Sequence, residues 1–369
     1  MQKKLKVLLS FGTRPEAIKM APLVLEMKKR EELEVIVCVT GQHSQMLEQV
    51  LSVFEIKPDY NLAVMQPGQT LFDVTANILT AIKPILEQVK PDIVLVHGDT
   101  TSTFAVALAA FYLMIPVGHV EAGLRTHDIY SPFPEEYNRQ AVGLVARYHF
   151  APTTQSANNL LAEGKNKEAI YITGNTGIDA LKTTVKPDYT HELFDWVGQD
   201  KLILLTAHRR ENLGKPMENM FAAIKQIVSE HPDVKVIYPV HLNPLVKKTA
   251  EKFLDGDKQI KLIDPLEVID FHNFLSRADI ILTDSGGIQE EAPSLGVPVL
   301  VMRDTTERPE GVESGTLKLA GTSREKIYSL CKELLTDDTV YAAMSNASNP
   351  YGDGSSSKQI TDIIIKLMY

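Results

Sequence analysis

The fold is decided by the stretch Ile280-Ile281-Leu282-Thr283-Asp284-Ser285-Gly286-Gly287-Ile288-Gln289-Glu290-Glu291-Ala292. An apolar run that ends in Asp-Ser-Gly-Gly and continues into helix-forming residues predicts a buried strand, a tight turn and a helix start. Adjacent glycines let backbone amides approach an anion closely, and a helix N-terminus adds partial positive charge. Alone, such a turn is more typical of an ordinary strand-to-helix connection. With the matching turns elsewhere in the chain, it predicts a diphosphate site.

Glu291 lies one to two turns into the predicted helix. In dinucleotide-binding folds an acidic residue accepts hydrogen bonds from ribose hydroxyls. A surface glutamate is the alternative, and the choice depends on whether a nucleotide binds at the glycine turn.

Bulk composition limits the function. A chain of 369 residues is longer than the length at which a single hydrophobic core keeps growing, so two domains are expected. Thirty-eight Lys and Arg against 47 Asp and Glu give a net charge of −9, and no dense basic tract is present, so we expect no nucleic-acid partner. Only Cys38 and Cys331 occur, which fits a reducing cytoplasm. The N-terminus has no sustained apolar core or small-residue cleavage site, so no signal peptide is expected. No run of about 18 apolar residues occurs, so no membrane span is expected.

The first half of the chain alternates strands with helices. Residues 5–11 predict a strand that ends in a glycine turn, where Thr13 and Glu16 form a capping box for the next helix. Further strands are predicted at 34–40, 93–96, 116–120 and 169–173. This alternation predicts a parallel, doubly wound α/β sheet with its ligands at the carboxyl ends of the strands.

A second α/β series follows, with strands predicted at 201–206, 234–239, 261–263, 280–283 and 298–302. Residues 185–198 are polar and show no clear hydrophobic periodicity, which indicates the region that connects the two domains. We therefore expect an N-terminal domain of residues 1–175, a C-terminal domain of residues 176–356, and a final helix, 357–369, that packs back on the first domain.

Charged side chains cluster where the predicted strands end. Carboxylates from one domain and a phosphate site from the other suggest proton transfer on a group attached to a diphosphate. A single carboxylate is more often an exposed ion-pairing group, but Asp99 and Glu121 directly follow buried strands. We interpret Arg125, Arg139 and Arg147 as structural partners of the acids. The candidates are Arg14, Lys19, Asp99, Glu121, Glu135 and Glu136 in the first domain, and His208, Arg209, Arg210, His241, Ser285, Gly286, Gly287, Glu291 and Arg308 in the second.

No dinucleotide-binding Gly-x-Gly-x-x-Gly, no Walker motif and no zinc-type spacing of His and Cys is present. We therefore expect no cofactor and no metal.

Six motifs together resemble the non-hydrolysing UDP-N-acetylglucosamine 2-epimerases of bacteria, from about residue 5 to the 349–354 tail. The resemblance implies a GT-B fold, in which two Rossmann-like, doubly wound domains face each other across a cleft, and a homodimer. It also implies interconversion of UDP-GlcNAc and UDP-ManNAc without a redox cofactor, for surface polysaccharide or teichoic acid synthesis. The motifs are Phe11-Gly12-Thr13-Arg14-Pro15-Glu16-Ala17-Ile18-Lys19, Val96-His97-Gly98-Asp99-Thr100, His119-Val120-Glu121-Ala122-Gly123-Leu124-Arg125, Pro134-Glu135-Glu136, Thr206-Ala207-His208-Arg209-Arg210-Glu211-Asn212 and Asp284-Ser285-Gly286-Gly287.

The resemblance further implies a reaction route. UDP leaves C1 while the C2 proton is removed, and UDP then returns as a proton reaches the other face. Asp99, Glu121 and Glu135 would carry the protons and His208 would lie near the phosphates, but the order of the carboxylates stays open. For UDP, the resemblance implies Arg14, Lys19 and the amides of residues 285–287 at the phosphates, Phe271 on the uracil, the Leu266 backbone at its edge, Glu291 at the ribose, and Arg308 in closing the site.

Many bacterial members of this family carry a second, activating UDP-GlcNAc site. Gln69 stands where some of these allosteric members have Arg, which leaves the strength of any regulation open. The matching positions are Gln42, His43, Gln45, Glu136, Arg210 and His241.

Three other functions share parts of this pattern. A GT-B glycosyltransferase would use the same UDP site but would need an acceptor site. A hydrolysing epimerase would release free ManNAc. A catalytically silent nucleotide-sugar sensor would be expected to lack the acids, all of which are present here.

Overall fold

The computed structural model describes residues 3–41, 44–64, 66, 68–306 and 308–368, without the side chains of 44–46. The chain divides into two compact units, Met1–Thr183 with Tyr351–Tyr369, and Thr184–Pro350. The boundaries thus lie at 183/184 and 350/351, whereas the sequence indicated 175/176 and 356/357. The difference arises because the Asp179 carboxylate accepts the amides of Ser356 and Ser357 at 3.3 and 2.7 Å, which ties the helix that follows residue 175 to the first unit.

The first unit contains a parallel sheet with the order β3-β2-β1-β4-β5-β6-β7 in the described part of the chain. Its central strands β1 and β4 are mostly apolar and almost completely buried, as expected for a sheet covered on both faces. The strands are β1 (Leu5–Phe11), β2 (Leu33–Val39), β3 (Tyr60–Asn61), β4 (Ile93–His97), β5 (Val117–Val120), β6 (Tyr148–Ala151) and β7 (Ile170–Ile172).

Helices connect these strands, and the C-terminal helix Ser356–Met368 packs against the first of them, with Arg30 and Asp362 joined at 2.8 Å. The connecting helices are α1 (Arg14–Lys28), α2 (Ser44–Val53), α3 (Leu71–Val89), α4 (Thr101–Tyr112), α5 (Glu135–Val145), α6 (Thr154–Ala162) and α7 (Thr176–Thr184).

The second unit repeats the arrangement, with a parallel sheet in the order β10-β9-β8-β11-β12-β13 in its described residues. Its elements are α8 (Glu192–Val197), β8 (Lys201–Thr206), α9 (Lys215–Glu230), β9 (Val234–Pro239), α10 (Pro244–Leu254), β10 (Ile260–Ile263), α11 (Val268–Arg277), β11 (Ile280–Thr283), α12 (Ile288–Ser294), β12 (Val299–Val301), α13 (Pro309–Glu313), β13 (Leu317–Leu319), α14 (Arg324–Thr336) and α15 (Asp338–Ser345).

Each sheet has the strand order of a Rossmann fold, so the predicted pair of doubly wound α/β domains is confirmed. The order reverses between β1 and β4 in the first sheet and between β8 and β11 in the second. Ligands of such sheets bind where the order reverses, at the carboxyl ends of the strands. Among the described residues, no helix is both long and apolar enough to cross a lipid bilayer.

Candidate active site

The turn after β1 is held rigidly by one buried carboxylate. Glu16 accepts the backbone amides of Gly12 and Thr13 at 3.0 and 2.7 Å, and the hydroxyls of Thr100 and Thr103 at 2.7 and 2.8 Å. The predicted capping box is therefore present, and it also ties the start of α1 to the start of α4. A β-carbon at Gly12 would lie 2.0 Å from the Thr40 hydroxyl, so the turn requires glycine.

Glu121 follows β5 with a left-handed backbone, at φ 61°, which is uncommon for a residue with a side chain. Such strain is retained where the surroundings determine it, often at functional sites. Its Oε2 contacts Lys19 Nζ, accepts a hydrogen bond from Asn175 Nδ2 at 2.7 Å, and lies 3.6 Å from His97 Nε2. Lysine and asparagine together thus fix one oxygen of this carboxylate.

Asp99 lies in the turn after β4, beside the strand that leads to Glu121. Arg139 from α5 contacts its Oδ2 through Nε at 2.9 Å and Nη2 at 2.7 Å. Burial raises the pKa of Asp99, Arg139 opposes this, and the charges of Glu121 and Glu135 add to the increase. Glu121 and Glu135 are therefore both close enough to Asp99 for their charges to act on it.

The neighbouring pair Glu135 and Glu136 begins α5, and its two members differ in accessibility. Glu135 is half-buried, whereas Glu136 is fully buried. Glu136 accepts the amides of Thr126 and His127, and it also binds Arg139 and Gln140. In this structure Glu136 therefore organises the preceding loop, although the sequence suggested that it contacts a second ligand.

In the second unit, the fully buried Asp284 fixes the turn after β8. Its Oδ2 accepts the amides of His208 and Arg209, each at 2.9 Å, and the side-chain amide of Asn212 at 3.0 Å. The carboxylate at the end of β11 thereby determines where the neighbouring strand places His208. The sequence contained Asp284 in its deciding stretch but gave no indication of this role.

His208 is partly exposed, and its ring stacks on His241 with centroids 5.3 Å apart and an interplanar angle of 12°. Burial lowers the pKa of His208; Asp284 opposes this, and His241 acts with burial.

The glycine turn follows β11 as predicted. The Ser285 amide donates to Thr283 Oγ1 at 2.9 Å, so it is already engaged within the turn. Gly287 directly precedes α12. The amides of Gly286 and Gly287 are therefore the part of this turn best suited to a phosphate.

Glu291 is largely buried in α12, and its Oε2 lies 3.7 Å from Nε2 of His272. A β-carbon built on Gly287 would lie 3.7 Å from Glu291 Oε1. The residue expected to bind ribose therefore lies directly beside the glycine expected to bind phosphate.

The remaining expected UDP contacts belong to the second unit. Leu266 and Phe271 are half-buried and pack on the edge of its core. Arg308 is buried, and its Nε donates to Glu290 Oε1 at 2.5 Å. In this structure Arg308 thus pairs with Glu290 of α12.

The expected regulatory positions are only partly described. Gln42 and His43 lie outside the described residues, as does the Gln45 side chain. Arg210 and His241 are exposed. Gln69 donates to the Val64 carbonyl at 2.7 Å.

Several residues were not assigned from sequence. Asn175 and His97 contact Glu121, and His272 contacts Glu291. Arg139 was interpreted as a structural partner of acids, and it does pair with Asp99 and Glu136. Among the described residues, no group of three or more His, Cys, Asp or Glu could hold a metal ion.

Comparison with known proteins identifies the family of the chain. The family model described as UDP-N-acetylglucosamine 2-epimerase matches residues 25–365. A UDP-N-acetylglucosamine 2-epimerase of Bacillus subtilis is 63% identical, covering 98% of this chain and 96% of the relative.

Two solved structures share the fold. The S. aureus MnaA–UDP co-structure is 53% identical with a TM-score of 0.91, covering 98% of this chain and 96% of that chain. The Neisseria meningitidis UDP-GlcNAc 2-epimerase bound to UDP-GlcNAc is 48% identical with a TM-score of 0.90, covering 98% of this chain and 100% of that chain. These matches confirm the GT-B fold class. Because the family model and a 63% identical relative both span nearly the whole sequence, this chain belongs to the UDP-N-acetylglucosamine 2-epimerase family.

Proposed function

We propose that the chain interconverts UDP-GlcNAc and UDP-ManNAc without net hydrolysis, by eliminating UDP and adding it back. The observation that carries the proposal is the pair Asp99 and Glu121 on adjacent strand ends, each joined to its own cation, Arg139 and Lys19. Relatives support the substrate class, because the S. aureus structure contains UDP and the N. meningitidis structure contains UDP-GlcNAc.

The chemistry of the sugar requires two steps. No carbonyl is attached to C2, so its proton is weakly acidic and a base alone would face a high barrier. In the forward step the C1–O bond breaks, UDP leaves with the electron pair, and a carboxylate takes the C2 proton, which leaves 2-acetamidoglucal with a C1=C2 double bond. In the return step a proton reaches the opposite face of C2 and the UDP oxygen forms the C1–O bond again.

Two faces of C2 require two groups that can exchange protons. Asp99 and Glu121 fill this role, with Glu135 as the third carboxylate near Asp99. Lys19, which the sequence assigned to UDP, is paired with Glu121 here, and we assign it to holding that carboxylate as well as to stabilising the departing charge.

UDP gains negative charge as it leaves, so groups that bind it more tightly at that moment accelerate the reaction. From the second unit we assign the amides of Gly286 and Gly287 and the His208 ring to the diphosphate, with Arg14 from the first unit. Phe271 would pack on the uracil, beside the Leu266 backbone, and Glu291 would accept from the ribose. Arg308 would help to close the site.

Turnover of carboxamide variants tests the acid and base roles. Asp99→Asn, Glu121→Gln and Glu135→Gln should each lower kcat by roughly 10² or more, because a positioned acid or base contributes about that much. Glu87→Gln, an exposed carboxylate on α3, is the matched control and should keep full activity. Near-native turnover in all three test variants would refute the assignment.

His208→Ala should weaken UDP binding and lower turnover together. Unchanged UDP affinity and unchanged turnover would show that His208 does not contact the phosphates.

A second, activating UDP-GlcNAc site remains part of the proposal, at Gln42, His43, Gln45, Arg210 and His241. Because Glu136 is fully buried here, we assign it an indirect role through the 124–134 loop. UDP-ManNAc supplied alone should convert more slowly than UDP-ManNAc with a trace of UDP-GlcNAc. Equal rates would contradict regulation in this protein.

We also propose a homodimer. Phe111, Tyr112 and Met114 are exposed at the end of α4, and Leu144 is exposed on α5, which packs against α4. Exposed apolar groups concentrated in this way mark protein interfaces, and two-fold dimers are the commonest assembly.

The setting that fits these features is the cytoplasm, with the product used for surface polysaccharide or teichoic acid. Both cysteines, Cys38 and Cys331, are buried and free, and burial raises the pKa of each to about 12. They are thus unreactive thiols, as expected in a reducing compartment.

A further inference from the structure

The geometry points to His272 as a positioning residue that holds Glu291 for the ribose, and so lets the protein distinguish a ribonucleotide from its 2′-deoxy analogue. This inference rests on the proposed function, because it takes Glu291 as the ribose acceptor. Three features of the second unit carry it: a buried imidazole, a hydroxyl that fixes its orientation, and the placement of the carboxylate beyond it.

The imidazole of His272 is buried between two polar groups. Its side chain is 2% exposed; Nδ1 lies 2.7 Å from Thr184 Oγ1, and Nε2 lies 3.7 Å from Glu291 Oε2. A ring in this position can donate to the carboxylate only through Nε2. When Thr184 donates its hydroxyl proton to Nδ1, the ring carries its own proton on Nε2, facing Glu291.

Thr184 is itself fixed, which makes the orientation of the ring reproducible. Its carbonyl accepts a hydrogen bond from Asn273 Nδ2 at 2.8 Å, and Asn273 Oδ1 accepts the Lys186 amide at 2.8 Å. These two hydrogen-bond partners therefore identify which atom of the Asn273 side-chain amide is the oxygen and which is the nitrogen. Thr184, His272 and Asn273 are all buried, so this arrangement is shielded from water.

The carboxylate beyond the ring is aimed by its two neighbours. Glu291 Oε2 faces His272, while Oε1 lies beside Gly287, whose amide we assign to the phosphate. The ribose of a nucleotide is bonded directly to its phosphate, so an acceptor beside Gly287 lies where the ribose hydroxyls would be. A separation of 3.7 Å is long for a hydrogen bond, and such contacts commonly shorten when the ligand binds.

The inference predicts a change in nucleotide discrimination rather than a general loss of binding. A hydrogen bond to a charged group supports about a 10-fold preference for UDP over 2′-deoxy-UDP. His272→Phe keeps an aromatic ring but removes the donor, so the preference should fall to about 2-fold. His272→Gln places an amide donor near the position of Nε2 and should restore most of the preference.

The experiment measures the Kd of UDP and of 2′-deoxy-UDP by calorimetry with the full-length protein. Thr184→Val removes the orienting hydroxyl at nearly constant volume, and it should reduce the preference by about 3-fold even if His272→Phe fails to fold. His231→Phe, a histidine that precedes β9, is the control and should leave the ratio unchanged.

The outcomes distinguish failure of the ribose assignment of Glu291 from failure of the inference about His272. If Glu291→Gln leaves the ratio of the two Kd values unchanged, the ribose assignment itself is wrong. If Glu291→Gln abolishes the preference while folded His272→Phe and Thr184→Val both keep the wild-type ratio, Glu291 binds the ribose and the inference about His272 is overturned.

Discussion

The buried histidines His119 and His149 should make the first unit sensitive to acid. They are register partners on β5 and β6, and each is almost completely buried. Burial lowers the pKa of His119 from 6.5 to about 3 and that of His149 from 6.5 to about 4. His119 Nε2 also lies 2.7 Å from the carbonyl of Gly98, in the turn that carries Asp99.

The direction of the pH dependence of stability follows from proton binding. Below pH 6.5 the unfolded chain binds protons that the folded histidines do not, so the stability is complete above pH 6.5 and is lost as the pH falls toward the folded pKa values. At about pH 4.5, two pH units below the unfolded pKa, the loss is about 2.7 kcal/mol for each histidine. Together this is about 5 kcal/mol, comparable with the total stability of a marginal domain.

His119→Asn removes one of the two titrating rings. The substitution should cost about 1 to 3 kcal/mol at neutral pH, because a buried contact to Gly98 is lost. The decrease in unfolding free energy between about pH 7.5 and pH 4.5 should nevertheless shrink by about 2.7 kcal/mol relative to wild type. Comparing the two pH values within each protein separates the titration from the packing cost.

The assay is urea unfolding at both pH values, followed by far-UV circular dichroism and by hydrogen exchange in β5 and β6. His127→Asn is the matched control, because His127 is exposed and asparagine tolerates its left-handed backbone, φ 64°. If His119→Asn loses as much stability in acid as wild type, the titration of His119 does not limit the stability of this unit.

Three further predictions concern other parts of the molecule. Asp284→Asn should cost the second unit about 2 to 4 kcal/mol in urea unfolding and weaken UDP binding, because an amide cannot accept every donor that now holds the His208 turn; unchanged stability would contradict this. Asn175→Ala should lower kcat about 10-fold with little change in UDP affinity, because Glu121 loses a 2.7 Å donor; wild-type kcat would refute a positioning role. Met114→Glu should convert the proposed homodimer to monomer in sedimentation velocity; a variant that stays dimeric would place the interface elsewhere, and a monomeric wild-type protein would refute the homodimer.

Much of the fold could be predicted because its pattern is local. The strands at 5–11, 201–206 and 234–239 were predicted with the bounds that the structure shows, since each is an apolar run closed by turn residues. The region 185–198 was less informative, because α8 is short and its Phe194 packs on the distant Phe274, with ring centroids 4.7 Å apart. Tertiary packing stabilises that helix, and the sequence shows no regular hydrophobic periodicity that would predict it.

In the candidate site, the sequence could identify only those residues that directly follow a predicted strand. Asp99 and Glu121 could be chosen because each directly follows a buried strand. The partners that hold them could not, because Asn175 lies 54 positions from Glu121 and Arg139 lies 40 positions from Asp99. Contacts at such separations depend on the assembled sheet, which no local pattern in one sequence records.

In the proposed reaction, UDP leaves and returns while a proton is exchanged at C2. The most direct measurement incubates the protein with UDP-GlcNAc alone in D₂O and follows the products by NMR. If UDP is eliminated and added back, UDP-ManNAc and recovered UDP-GlcNAc should both carry deuterium at C2, with free ManNAc absent. Free ManNAc as the main product would indicate a hydrolysing enzyme, and unchanged, undeuterated UDP-GlcNAc would contradict epimerisation by this route.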